Sequence, residues 1–160
     1  KGINISYVEE NEPLGTCGSL KLMKNIKNEN IILINSDILT NLNFNKFFEE
    51  FKNSNAHMSV VGVGHNIEVP YAVIESENDI VKSFKEKPKF IYQSNAGIYL
   101  LKKEILELIP NKKFDSTDLM ELIINRDQKL TIYKHLGYWN DVGRIEDFIK
   151  AQVDIKSLNI

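Results

Sequence analysis

Residues 30–37 read NIILINSD: four apolar residues in succession, bounded by asparagines, with Asp37 just beyond. The run is too short for a helix, and unbroken Ile and Leu suit a strand covered on both faces, as in a parallel sheet. Open sheets of that kind bind ligands at the carboxyl ends of central strands. Asp37 stands at such an end, so one octapeptide predicts both the fold class and the neighbourhood of a site.

Upstream, INISYV (Ile3–Val8) alternates apolar and polar residues and reads as a strand. EPLGTCGSL (Glu12–Leu20) then places two glycines around a threonine and a cysteine. GSLKLMKNI carries Leu20, Leu22, Met23 and Ile26 at helical spacing. Downstream, NFNKFFEEFKNS sets Phe44, Phe47, Phe48 and Phe51 on one face of an amphipathic helix, and AHMSVVGV is a further strand. YAVIESENDIVKSFKEKP predicts a hairpin turning at Glu77–Asp79. NAGIYLLKKEILELI reads as strand into helix, and DSTDLMELIIN as a helix capped by Asp115, Ser116 or Thr117. LTIYKHL and YWNDV are short strands before a closing helix, IEDFIKAQVDIKSL. The alternation predicts an α/β fold, a mainly parallel Rossmann-like sheet flanked by helices with an antiparallel hairpin portion.

The 160 residues suit a single domain. A net charge of −2 from 20 basic and 22 acidic residues gives no basic surface for nucleic acid and no charged face for a membrane. One cysteine, Cys17, excludes an internal disulfide and fits a reducing compartment. Its position in the glycine loop admits a catalytic thiol, but a small residue filling a tight loop is the simpler reading. With no apolar run of membrane-spanning length and no signal peptide, a cytoplasmic location is expected. A first strand beginning at residue 3 and leading straight into a ligand loop predicts a sheet whose beginning lies upstream, and hence a partial domain.

Asp37 at a strand end suits magnesium, which takes one or two carboxylates plus substrate phosphates. It is equally a turn residue ahead of the helix near Asn43. Asp141, in GYWNDVGRIEDF, repeats the arrangement where a strand gives way to a helix, or else satisfies loop backbone beside Trp139. In SFKEKPKF, Lys85 and Lys87 alternate with Glu86 ahead of Pro88, charges that meet a ligand or simply water. Asn95, in SNAGIY, binds a hydroxyl or shapes a turn. His57, His65 and His135 lack metal-ligand spacing.

Taken in order, EPLGTCGSL, LINSDILTNL, VPYAVIE, SFKEKP, SNAGIYLL and GYWNDVGRIEDF resemble the sugar-1-phosphate nucleotidyltransferases, in particular the mannose-1-phosphate guanylyltransferase-like branch. The resemblance runs from about residue 3 to about residue 151. It implies the nucleotide-diphospho-sugar transferase fold and a reaction of a nucleoside triphosphate with a sugar 1-phosphate that releases pyrophosphate. It also implies that Asp37 and Asp141 hold Mg2+, that Lys87 contacts the sugar phosphate, and that Glu86, Asn95 and the backbone at Ala72 face the sugar. Gly15 and Thr16 would lie against the nucleobase and ribose, which explains a glycine loop without a phosphate-binding lysine.

Three departures stand out. Ser36 replaces a common glycine before Asp37 and fits if its φ is negative. Ala72 replaces a common glycine beside the sugar. Residues 1–160 also contain no match to the family's GGxGTRLxPxT…PK loop, whose arginine and lysine bind the triphosphate. The chain is therefore expected to be the C-terminal part of such an enzyme and inactive alone, with an exposed sheet edge that favours self-association. A catalytically dead sugar-nucleotide-binding or regulatory homologue is the competing reading. A glycosyltransferase of related fold ranks last, because Ile38 and Leu39 follow Asp37 where an Asp-x-Asp motif is needed.

Overall fold

The computed structural model describes residues 2–158. Its centre is a four-stranded sheet in the order β1 (Asn30–Ile34), β6 (Lys89–Lys102), β3 (Met58–Glu68), β7 (Leu130–His135). Strand β6 runs against both neighbours, whereas β3 and β7 are parallel. Three of the four strands thus share one direction, but β6 opposes both its neighbours, so the sheet is mixed, with one parallel and two antiparallel pairs. Two separate ribbons complete the strands: β2 (Ile38–Thr40) with β8 (Trp139–Asp141), and β4 (Val73–Glu77) with β5 (Ile80–Lys85).

The core lies on both sides of β6. Tyr99 and Leu101 join Met58, Val60, Ile105, Leu119 and Ile123 on one face, while Ala96, Ile98 and Leu100 join Phe47, Phe51 and Val61 on the other. The two-residue period of a strand produces this division. Helix α2 (Phe44–Ser54) covers the second face with Phe47 and Phe51, four residues apart. Its start is fixed by Asn43, whose side chain accepts from the Lys46 N–H, and it stops at Asn55 in the left-handed conformation. Helix α3 (Ser116–Asn125) covers the first face with Leu119 and Ile123. Helix α4 (Ile145–Asp154) closes the described chain.

The hairpin turns as the sequence predicts. Asn78 and Asp79 are the two loop residues between the paired Glu77 and Ile80, and both have positive φ, as a type I′ turn requires. Three expectations are corrected. INISYV forms no strand: Ile3, Ile5 and Tyr7 stand in solvent, since alternation makes a strand only where a partner takes its backbone bonds. GSLKLMKNI forms no continuous helix but one turn, α1 (Gly15–Gly18), and a 3-10 turn (Ser19–Leu22) that ends at extended Met23. There the N–H groups of Cys17 and Gly18 both donate to the Phe114 carbonyl, outside any helical ladder. NIILI, finally, is not buried on both faces. Among the described residues β1 pairs on one edge only, and Ile32 and Ile34 keep 47% and 43% of their surface exposed. The doubly covered strand is β6.

Candidate active site

The β2/β8 ribbon carries the two acids singled out from sequence. Ile38 pairs with Asp141, Leu39 with Asn140 and Thr40 with Trp139. One step further the Val142 N–H donates to the Asp37 carbonyl at 2.7 Å, so Asp37 and Asp141 occupy neighbouring backbone positions on adjacent chains. Residues more than a hundred apart in sequence are thereby brought side by side. Both are solvent-accessible. Among the described residues no cluster of three or more His, Cys, Asp or Glu side chains could hold a metal ion by itself. Two oxygen donors open to water suit a hard cation whose remaining ligands come from water and a phosphate.

The ribbon is fastened to the sheet at the carboxyl end of β1. The Asn35 N–H donates to the Gly97 carbonyl at 2.9 Å, and the Trp139 indole N–H donates to the Ala96 carbonyl at 3.0 Å. Ala96 and Gly97 lie in an irregularity of the β3/β6 pairing, between Val60 and Gly62 on the partner strand. Gly97 has φ +70°, and a Cβ there would sit 2.6 Å from the Asn35 amide nitrogen, so only glycine allows this approach. Asn95 shapes the same irregularity. Its Oδ1 accepts from the Gly97 N–H at 2.9 Å and its amide donates to the Tyr99 hydroxyl at 2.8 Å, while its position stays exposed. Ser36 lies outside the left-handed region, as a serine in that place requires.

The glycine loop meets the start of α3. Gly15 has φ +81°, and a Cβ there would sit 2.6 Å from Asp115 Oδ1 and 2.8 Å from the Phe114 carbonyl oxygen. Thr16 donates its N–H to Asp115 Oδ1 at 2.9 Å, and its hydroxyl accepts from the Ser116 N–H at 2.8 Å. Protein atoms thus account for the glycine and hold the threonine. Cys17 is fully buried, and its thiol is pushed up to about 12 by burial first and by Asp115 and Asp118 second. It stays a neutral thiol at neutral pH, which excludes a thiolate nucleophile.

A separate group forms at the open end of the β4/β5 hairpin. Val73 pairs with Lys85, so Ala72 and Glu86 flank that pair on neighbouring chains, with Lys87 next. All three are exposed, and Lys87 has φ +42° immediately before Pro88. That conformation is uncommon for a residue with a Cβ.

A nucleotidyl transferase family model matches residues 1–157. The chain belongs to the nucleotidyl transferase family. Similar proteins within the family's range include a mannose-1-phosphate guanyltransferase of Debaryomyces hansenii, 30% identical over 160 residues, covering 95% of this chain and 44% of that protein. A probable mannose-1-phosphate guanylyltransferase 3 of Oryza sativa subsp. japonica is 33% identical over 156 residues, covering 92% and 43%. The chain therefore spans less than half the length of these curated relatives. Among solved structures, HddC from Yersinia pseudotuberculosis superposes with a TM-score of 0.65 at 30% identity, covering 91% of this chain and 64% of that one, and has also been solved with GMP-PN. A putative glucose-1-phosphate thymidylyltransferase from Bacillus anthracis gives a TM-score of 0.73 at 22% identity over 99% and 68%, a likeness of fold. The chain thus has the nucleotide-diphospho-sugar transferase fold of the sugar-1-phosphate nucleotidyltransferases.

Sequence reasoning missed the residues that seat the ribbon. Asn35, Thr40, Asn41, Gly97 and Tyr138 all lie within the quoted motifs, but nothing in the sequence set them apart from their neighbours there. His135, without metal-ligand spacing in the sequence, ends β7 and is buried.

Proposed function

We propose that the chain forms part of an enzyme that joins a nucleoside triphosphate to a hexose 1-phosphate, giving a nucleotide sugar and pyrophosphate, with GTP and a mannose-1-phosphate-like sugar as substrates. The observation that carries this reading is the juxtaposition of Asp37 and Asp141 across the β2/β8 ribbon. In the reaction a phosphate oxygen of the sugar attacks the α-phosphorus of the nucleotide, and the bond to the pyrophosphate oxygen breaks. Such chemistry depends on in-line placement and charge neutralisation rather than on a covalent intermediate. Asp37 and Asp141 would hold Mg2+, which when bound supplies positive charge to the reacting phosphate. Lys87 binds the sugar phosphate, and Glu86, Asn95 and the Ala72 backbone bind the sugar. Gly15 and Thr16 border the base and ribose. The guanylyl and mannose assignment is supported by the names of the similar fungal and plant proteins.

Alone, the chain does not turn over. Supporting this are the missing GxGTR-type loop in residues 1–160 and the coverage of under half of the relatives' length. The open edge of β1, with Ile32 and Ile34 exposed, supports self-association of the isolated chain. The test is magnesium-dependent pyrophosphate release with a panel of nucleoside triphosphates and hexose 1-phosphates. It is run on this chain and on the longest natural reading frame that contains it. Activity only in the longer protein is expected; silence in both would point to a binding homologue, and turnover by this chain alone would refute its inactivity.

A further inference from the structure

Three donors converge on one oxygen at the entrance to β8. The Tyr138 carbonyl accepts from the Thr40 hydroxyl at 2.8 Å, from His135 Nε2 at 3.0 Å and from the Asn41 N–H at 3.2 Å. A carbonyl only accepts, so Nε2 carries the imidazole proton. Asn41 closes the loop in the other direction, its Oδ1 accepting from the Tyr138 N–H at 2.8 Å. The Thr40 hydroxyl also accepts from the Leu42 N–H at 3.2 Å. Gly137 leaves room for all of this: a Cβ there would run into the Asn41 side chain and lie 2.7 Å from the His135 ring.

This cluster sits at one end of the β2/β8 ladder, and the two acids sit at the other. The ladder is three pairs long, from Thr40–Trp139 at the clustered end to Ile38–Asp141 at the acidic end. So short a ribbon does not hold its own register. A slip of one residue would set Asn140 or Val142 opposite Ile38 in place of Asp141 and turn each side chain to the other face. The ribbon therefore needs a pin outside its own ladder.

We propose that Thr40, Asn41, His135 and the Tyr138 backbone are a register lock that positions Asp37 and Asp141 for cation binding. Thr40 and His135 are positioning residues; neither touches the cation. The proposal rests on the reading of the acids as magnesium ligands and extends it from the ligands to what aims them. Metal sites commonly depend on such outer partners.

The test uses the 160-residue chain, with Thr40→Val removing the hydroxyl and Thr40→Ser retaining it. Amide hydrogen exchange at Val142, which donates to Asp37 across the far end of the ribbon, reads the register without any metal. Expected is an acceleration of about tenfold or more in Thr40→Val, near-wild-type exchange in Thr40→Ser, and unchanged exchange in the buried parts of β3 and β6. Unchanged exchange at Val142 in Thr40→Val overturns the lock. So does an acceleration shared equally by β3 and β6, which would mean that the whole fold had loosened. Mn2+ titration, followed by paramagnetic broadening of amide signals, adds the second readout. Thr40→Val should bind about tenfold more weakly than wild type, and Thr40→Ser about as well. A wild type that broadens no signal near Asp37 and Asp141 refutes the ligand reading and with it the positioning role, while Val142 exchange still judges the lock itself. A Thr40→Val variant that binds Mn2+ as well as wild type refutes the positioning role alone.

Discussion

Two antiparallel ribbons project from the same sheet, and they are built in opposite ways. The β2/β8 ribbon is three pairs long and sunk into the molecule: Ile38 and Trp139 pack on the cluster of Phe47, Phe51 and Ile98, and side-chain hydrogen bonds hold its Thr40–Trp139 end. The β4/β5 ribbon is longer and almost free of the core, with Ile74, Ile80, Val81 and Phe84 exposed. Its cross-strand ties are surface contacts, Glu75 with Ser83 and Lys85, and Lys82 with Glu77. The difference suits the roles proposed above: two carboxylates proposed to share one cation would tolerate little error in position, whereas a lysine and a glutamate proposed to meet a sugar phosphate would gain from reach.

The largest effect should come from the buried ribbon's acids. Asp37→Asn or Asp141→Asn in the longest natural reading frame that contains the chain is expected to lower magnesium-dependent pyrophosphate release by about a thousandfold or more, the several kcal/mol of charge stabilisation a cation contributes. The melting temperature should hardly change, because both acids are exposed. Activity within tenfold of wild type would remove the acids from the reaction. Next comes the support beneath them. Phe47→Ala should destabilise the chain by about 3–5 kcal/mol, since Phe47 is fully buried under the ribbon. Phe84→Ala, on a hairpin residue with 68% of its surface exposed, should cost under about 0.5 kcal/mol. Urea unfolding of the two variants compares them directly, and equal losses would contradict the contrast between the ribbons.

The same contrast governs what could be read from sequence. The hairpin was legible because its information is local: Asn78 and Asp79 supply the turn, and alternation supplies the strands. Asp37 and Asp141 were legible as candidates because each follows a short apolar run. Their pairing was not, since it depends on contacts between segments a hundred residues apart. NIILI misled about burial because apolar content reports the capacity to be covered, not which strand the topology covers; that place went to Ala96–Leu101 of β6. Thr40 and His135 were invisible for a related reason. A hydroxyl and an imidazole acquire meaning only once the Tyr138 carbonyl is placed between them.

A smaller effect should distinguish function from strain on the exposed ribbon. Lys87 holds φ +42° ahead of Pro88, a conformation that glycine adopts without steric cost. Lys87→Gly should therefore leave the melting temperature unchanged or slightly raised. In the longer protein the same change should raise the KM for the sugar phosphate about tenfold or more, the loss expected for a charge-assisted contact. An unchanged KM would make Lys87 a loop residue whose conformation serves the turn before Pro88 alone.

The smallest effect concerns how loosely that ribbon is tied. Glu75 is held below the ordinary glutamate value of 4.5 first by the Ser83 hydroxyl and then by Lys85, through both a hydrogen bond and its charge. A carboxylate depressed in the folded state stabilises the fold in full above the unfolded value and loses that contribution as pH falls through its folded value. The window therefore lies below about pH 4.5, where the unfolded chain takes up a proton before the folded one does. Because the side chain is fully exposed, water and salt screen the contacts, and the effect should be confined to the hairpin. NMR titration of the Glu75 side-chain carboxyl should give a midpoint below that of an ordinary glutamate, and Ser83→Ala should move it back up. The β3 and β6 amides should register no transition at that midpoint, because no core contact depends on Glu75. A midpoint indifferent to Ser83→Ala would leave Lys85 as the sole cause of the depression at Glu75. Core amides that moved with Glu75 would mean that the two ribbons are coupled, and that the freedom ascribed to β4/β5 is less than its exposure implies.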